Sequence, residues 1–202
     1  MNHRSHLVLP REYYMDEKVE VLARDLLGKV LVTRFNGSRT SAVITETEAY
    51  AGVSDRASHA FGGRHTARTA PMYARGGTAY VYLCYGIHHL FNIVTGPERM
   101  PHAVLVRAAV AIEGRDVIAS RRAPAAATMG GPGTVAQGLA IHTRHSGLDL
   151  CAGPITVEDH GHIVPRQAIL IGPRVGVAYA GVDADRPYRF RVAPSWPAPW
   201  GQ

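Results

Sequence analysis

Two carboxylates and a phenol stand at alternate positions in Ile44-Thr45-Glu46-Thr47-Glu48-Ala49-Tyr50. Thr, Ile and Tyr favour extended backbone, so the run reads as a strand. Strand side chains alternate faces, which places Ile44, Glu46, Glu48 and Tyr50 on one side, with successive members about 6.5 Å apart. Carboxylates so spaced can divide acid and base work about a sugar, or one can be catalytic and its neighbour structural. A solvated edge strand whose acids only keep the surface polar fits the same pattern. Arg107 interrupts the otherwise apolar run Ala103–Val110. A guanidinium buried there must find a carboxylate, and Glu48 is the expected partner. Such a pair would hold Glu48 ionised by lowering its pKa.

Other chemistries are poorly served. Cys84 and Cys151 are the only cysteines and form no CxxC pair, so neither a disulfide framework nor a zinc site is expected. The histidine pairs His88-His89 and His160-Gly161-His162 lack the i, i+4 spacing of a helical metal site and read as scattered, solvated rings. No apolar run is long enough to span a bilayer, and the N-terminus lacks the h-region of a signal peptide. The expected location is therefore the cytoplasm, or a nucleoid-type compartment.

The net charge is +6, and Lys18 and Lys29 are the only lysines, so arginine carries nearly all the positive charge. That balance suits a polyanionic partner, because arginine makes bidentate phosphate contacts. Residues 51–77 concentrate it: Arg56, His59, Arg64, His65, Arg68 and Arg75 against the single acid Asp55, in a Gly-punctuated loop. The one-sided charge points to a phosphate-contacting surface.

The elements around these residues are mostly strands. Asp16 can cap a helix bearing Val19, Leu22, Leu26 and Leu27 on one stripe and stopped by Gly28. Residues 30–35, the turn Asn36-Gly37-Ser38 and residues 40–50 read as a hairpin whose second arm carries Glu48. Thr78–Cys84 and Ile87–Thr95 read as a second hairpin, or as a strand followed by a tight bend, with Tyr80 and Tyr82 on one face and Tyr85-Gly86 where the chain turns. An aromatic at a bend is badly placed to pack inward, so Tyr85 should project. Residues 112–122 read as a helix and the Ala/Pro run 123–127 as a mobile loop. Gly131-Pro132-Gly133-Thr134 opens a short helix whose free N–H groups could receive phosphate. Short strands alternate with turns over 147–192, and residues 1–15 and 193–202 read as loosely ordered ends. No repeat or linker divides the chain, so 1–202 is expected to be a single domain.

Taken together, Leu26–Val32, Glu46-Thr47-Glu48-Ala49-Tyr50, Ala57-Ser58-His59, Pro71-Met72-Tyr73, Tyr80-Val81-Tyr82 to Tyr85-Gly86, Asn92, Val106-Arg107-Ala108, Gly131-Pro132-Gly133 and Gly172-Pro173-Arg174-Val175-Gly176 resemble the alkyladenine (3-methyladenine) DNA glycosylase family, in order and over nearly the whole chain. The resemblance implies an α+β fold: one compact domain with a curved antiparallel β-sheet core, flanking helices and a protruding hairpin carrying Tyr85. It implies a monofunctional enzyme of base-excision repair, without metal or other cofactor. Such an enzyme flips alkylated or deaminated purines out of double-stranded DNA and hydrolyses the N-glycosidic bond, leaving an abasic site. Glu48 resembles the general base that activates water and Arg107 the residue that steadies them. Tyr50, His59 and Tyr82 resemble the walls that stack on the base, and Asn92 the residue that crowds the guanine amine. Tyr85 resembles the wedge that fills the gap in the stack, and Arg64 and Arg68 are expected to contact phosphates. Glu46 falls to a structural role, and a monomer is expected. The chain departs from the family pattern at Thr134, where a basic residue is common, and matches loosely over 61–68. A lesion reader without cleavage, and a carbohydrate glycosidase using Glu46 and Glu48, are the competing functions. Two acids on one strand face straddle a sugar poorly, which disfavours the second.

Overall fold

The computed structural model describes residues 7–122 and 129–200. Its frame is a mixed-length antiparallel sheet, and its longest strand is the one that carries Glu48. Asn36 and Gly37 both adopt left-handed backbone (φ 51° and 73°), the geometry a two-residue hairpin turn needs to match strand twist. They join β2 (Val30–Phe35) to β3 (Ser38–Ala51).

Along its other edge β3 pairs with β6 (His102–Glu113), which pairs with β5 (His88–Thr95), which pairs with β4 (Ala79–Cys84). Beyond β2 lie β7 (Ile155–Asp159) and β1 (Leu7–Val8). Where β2 ends, β9 (Arg189–Val192) takes its place beside Glu46–Glu48 and is itself paired with β8 (Ile169–Gly172). Glu46 and Glu48 therefore sit on a strand paired on both edges, not on a solvated edge strand.

The register slips within the run that carries the two acids. Ile44 faces Ala109, Glu46 faces Ala108 and Thr47 faces Val106, a bulge that breaks simple alternation. Ile44 consequently packs in the same core as Ala42 and Ala49, and Glu46 and Glu48 turn to the opposite face. The expectation that Ile44 shares a side with the two acids is corrected by this bulge. Thr47 Oγ1 donates to the Ala23 carbonyl at 2.6 Å, tying β3 to helix α1 (Val19–Asp25).

Both faces of the sheet are covered. Leu31, Ile44, Phe91, Ile93, Val104 and Val106 pack one face against α1 and against α3 (Pro132–Gly138), whose Val135 and Ala136 join the same core. On the other face Tyr80, Val94 and Ala103 pack with Ala60 and Met72 of the loop 52–77. Burying side chains of this size from both sides is the main driving force for the fold.

Some ends and boundaries differ from the sequence reading. Among the described residues of the first fifteen, Leu7–Val8 pair with β7 and Tyr14 is fully buried; residues 1–6 lie outside the described part. Trp200 is buried against Val30, Val32 and Val43, with Trp196 beside it, so the tail is packed and not loose. Glu113 still belongs to β6, and helix α2 spans Arg115–Arg122, starting later than the expected 112. The run 123–127 falls outside the described residues. Asp16 accepts the Lys18 N–H, while Lys18 itself occupies the cap position of α1. Among the described residues no helix is long and apolar enough to cross a membrane.

Candidate active site

Glu48 is fully buried yet each carboxylate oxygen has a donor. The Tyr50 hydroxyl, two residues along the same strand face, donates to Oε2 at 2.8 Å. The backbone N–H of Val175 donates to Oε1 at 2.8 Å from a segment distant in sequence. Arg107 Nε stands 3.4 Å from Oε1 but makes its shorter contact, 3.0 Å, to Glu46 Oε1. Arg189, on β9, donates to the same Glu46 oxygen at 2.6 Å. Arg107 therefore bridges the two acids, and Glu46 is the one fully engaged in ion pairs.

These partners decide the charge state differently from the sequence expectation. Burial raises the Glu48 pKa above the ordinary carboxylate range; Arg107, the Val175 N–H and the Tyr50 hydroxyl pull it back only in part, and Glu46 adds to the rise. Arg107 acts in the expected direction, but desolvation is the larger effect. Tyr50 keeps its proton because its own burial, with Glu48 beside it, pushes the phenol well above its usual value.

Tyr50 also lines a cavity, together with Ala57, His59, Met72, Tyr80, Tyr82, Asn92, Ala103 and Tyr179. The space open to centres of water-sized molecules is about 40 Å³. At roughly 10–15 Å³ per water it admits a few waters. Its aromatic walls are His59 and Tyr82, edge to face with ring centres 4.5 Å apart, and Tyr80, 5.6 Å from Tyr82. His59 Nδ1 lies 2.8 Å from the Tyr80 hydroxyl. Burial, reinforced by Arg68 and Arg64, lowers the His59 pKa to about 4, so the ring is neutral at physiological pH. Asn92 spends its amide N–H groups on the Tyr80 and Leu90 carbonyls, at 3.1 and 3.3 Å. That fixes the amide plane at the cavity wall.

The remaining expected residues lie around the mouth. Tyr85 sits at the tip of the β4–β5 hairpin, 92% exposed, with left-handed backbone (φ 51°) that Gly86 continues. Arg64 and Arg68 are exposed in the loop 52–77, and the Arg68 guanidinium lies 5.2 Å from the Tyr82 ring centre. Thr134 folds back on its own helix start, accepting the Gly131 N–H at 3.0 Å and donating to the Gly131 carbonyl at 2.6 Å. His160 is not a solvated ring, because its Nε2 lies 2.9 Å from Glu158 Oε2 and its side chain is buried. Among the described residues no group of three or more His, Cys, Asp or Glu side chains could hold a metal ion.

Sequence reasoning assigned no role to Asp55, Arg174, Val175, Tyr179 or Arg189. Arg174 pairs with Asp55 across 119 residues, both side chains fully buried. The available signals were slight: one acid in a basic loop, and one arginine in the Gly172–Gly176 string. Neither says which distant residue it meets.

The family model described as Methylpurine-DNA glycosylase (MPG) matches residues 13–195. A protein of Anaeromyxobacter dehalogenans (strain 2CP-C) is 48% identical over 95% of this chain and 88% of its own length. One from Chlamydia abortus is 43% identical over 91% of this chain and 97% of its own, and one from Methanocella arvoryzae 45% over 91% of each. All three are named as proposed 3-methyladenine DNA glycosylases. With nearly its whole length matched, this chain belongs to the methylpurine-DNA glycosylase family and is a DNA N-glycosylase, a hydrolase of DNA repair.

Proposed function

We propose that the chain excises alkylated or deaminated purines by turning the damaged nucleotide out of the duplex into the Tyr50–His59–Tyr82 cavity, where a water activated by Glu48 attacks C1′. The observation that carries this reading is Glu48 itself, a buried carboxylate gripped by the Val175 N–H and by the hydroxyl of Tyr50, whose side chain lines the aromatic cavity. Cleavage of a purine–sugar bond builds positive charge on the sugar, which a nearby carboxylate stabilises while it accepts the proton of the attacking water. A pKa raised by burial makes Glu48 a stronger base once ionised, and the flanking donors and Arg107 keep the ionised form accessible.

His59, neutral at physiological pH, would meet the base by ring contact and hydrogen bonding rather than by charge. Tyr85 would fill the space left in the stack, offsetting part of the few kcal/mol that unstacking and unpairing cost. Arg64 and Arg68 would contact phosphates beside it. Asn92, held rigid by Tyr80 and Leu90, would crowd an amine at the purine 2-position and so disfavour guanine. The working unit is a monomer in this reading.

The test is single-turnover base release from a duplex carrying one hypoxanthine or one 3-methyladenine, comparing wild type with Glu48→Gln. Release by wild type, and a loss of about 10²–10⁴-fold in the variant with DNA still bound, is expected for a general base. Tight lesion binding without release by either protein would point instead to a reader of damage.

A further inference from the structure

We propose that Arg174 is a positioning residue for Glu48: clamped by Asp55 and stacked on Tyr50, it fixes the two donors, Tyr50 O–H and Val175 N–H, that hold the carboxylate. The inference rests on Glu48 being the base. Arg174 makes no hydrogen bond to Glu48 or to a cavity-lining side chain, yet its guanidinium bonds to the Ala49 carbonyl between Glu48 and Tyr50 and stacks on the Tyr50 ring.

One terminal nitrogen donates to the Ala49 carbonyl at 2.9 Å, between Glu48 and Tyr50 on β3, and to Asp55 Oδ2. The other donates to Asp55 Oδ1 at 2.8 Å and to the Asp183 carbonyl at 2.9 Å. Asp55 in turn accepts the N–H groups of Ala51 and Ala57, both at 3.0 Å. It thereby fixes the chain on either side of the loop that leads to His59. The guanidinium carbon lies 4.8 Å from the Tyr50 ring centre and 5.3 Å from that of Tyr188. A flat, delocalised cation can stack on rings and fork onto a carboxylate at once; an ammonium cannot. The next residue along the chain is Val175, whose N–H reaches Glu48 Oε1. Both donors to Glu48 are therefore anchored through one side chain, the phenol by stacking and the amide by chain continuity.

A structural ion pair would also be buried and bidentate. What distinguishes a positioning role is the direction in which its loss moves Glu48. The charged and titratable groups around Glu48 are Glu46 and Tyr50 on β3, Arg107 on β6, Arg189 on β9, Tyr82 on β4, and Arg174 and Tyr179 in the C-terminal part. Replacing Arg174 by lysine keeps the number of charges in this set. A movement of the acid limb that the Tyr50→Phe background removes then reports the hydrogen bonds to Glu48, which favour its ionised form, whereas one that persists there reports the displaced charge.

Single-turnover release is measured from pH 5 to 9 on whichever of the two lesions the wild type excises. The proteins are wild type, Arg174→Lys, Asp55→Glu, Tyr50→Phe, Tyr50→Phe/Arg174→Lys and, as control, Glu48→Gln, with DNA affinity and Tm recorded for each. For Arg174→Lys the acid limb should move up by about one pH unit, a tenfold loss on that limb, with DNA affinity unchanged. Asp55→Glu, which keeps the charge and disturbs the fit of the clamp, should move it the same way and replaces Arg174→Lys if that variant does not fold. Tyr50→Phe should show the shift by itself, and adding Arg174→Lys to it should cost less than about threefold more. An acid limb at the wild-type pH in either folded clamp variant, or losses that multiply in the double variant, overturns the proposal and leaves a purely structural pair. Failure of the base assignment is a separate result: Glu48→Gln would then release base at the wild-type rate.

Discussion

A buried carboxylate placed beside another acid is costly, and the cost at Glu48 is visible as a pKa raised chiefly by desolvation. A carboxyl protonated in both folded and unfolded states carries no penalty, so below the ordinary carboxylate value Glu48 does not affect stability. As pH rises through its raised folded value, the ionised form is disfavoured by burial and stability falls. Glu48→Gln should therefore gain in Tm relative to wild type on going from pH 4 to pH 8, with the two proteins converging at the acid end; scanning calorimetry across that range checks it. His59 behaves oppositely. Its folded value of about 4 lies below the ordinary 6.5, so the unfolded chain takes up a proton that the folded ring refuses. Stability from this group is intact above about 6.5 and falls as pH drops towards 4. An NMR titration of the His59 ring should show a midpoint near 4, and urea unfolding of His59→Gln should lose part of the acid slope.

At the scale of elements, β3 and the β4–β5 hairpin divide the work. β3 is paired with β6 along its length and with β9 beside Glu46–Glu48, so the carboxylates ride on a strand that cannot shift without breaking two ladders. The hairpin is open at its tip, where Tyr85 and Ile87 are 92% and 70% exposed. Tyr85→Ser should accordingly change stability by no more than about 0.5 kcal/mol, as exposed substitutions do. Base release at subsaturating enzyme should nevertheless fall clearly, by about tenfold if the ring offsets about 1.4 kcal/mol of unstacking. Equal losses in Tm and in rate would instead make Tyr85 a residue of the fold.

The whole molecule adds a field. With a net charge of +6 and exposed arginines in the loop 52–77, affinity for duplex DNA should fall steeply with salt, because each neutralised phosphate releases counterions. Arg64→Gln and Arg68→Gln should each reduce the slope of log K against log salt by about 1. Fluorescence anisotropy over a salt series, on undamaged duplex, measures it. An unchanged slope would move the phosphate contacts elsewhere on the surface. Arg68 also lies against Tyr82, so its variant should affect the cavity more than that of Arg64.

The sequence by itself determined what depends on neighbours along the chain. Alternation and turn chemistry placed both hairpins, because Asn36-Gly37 and Tyr85-Gly86 supply the left-handed backbone the bends require. Local order also put Glu48, Tyr50, His59, Tyr82 and Asn92 in strings that resemble a known family, and the fold gathers four of them, with Glu48 bonded to Tyr50, at one cavity. The bulge after Ile44 is not legible there, because a slipped register is set by the partner strand, here β6, and leaves no mark in the run itself. Nor are the packed ends, because Tyr14 and Trp200 find their pockets only once the sheet exists. Only the tertiary structure decided that burial outweighs Arg107 at Glu48, that Arg107 leans on Glu46, and that Arg174 reaches Asp55 across 119 residues. The physical reason is common to all of these: desolvation and charge pairing depend on distances through space, which a linear pattern of residue types does not contain.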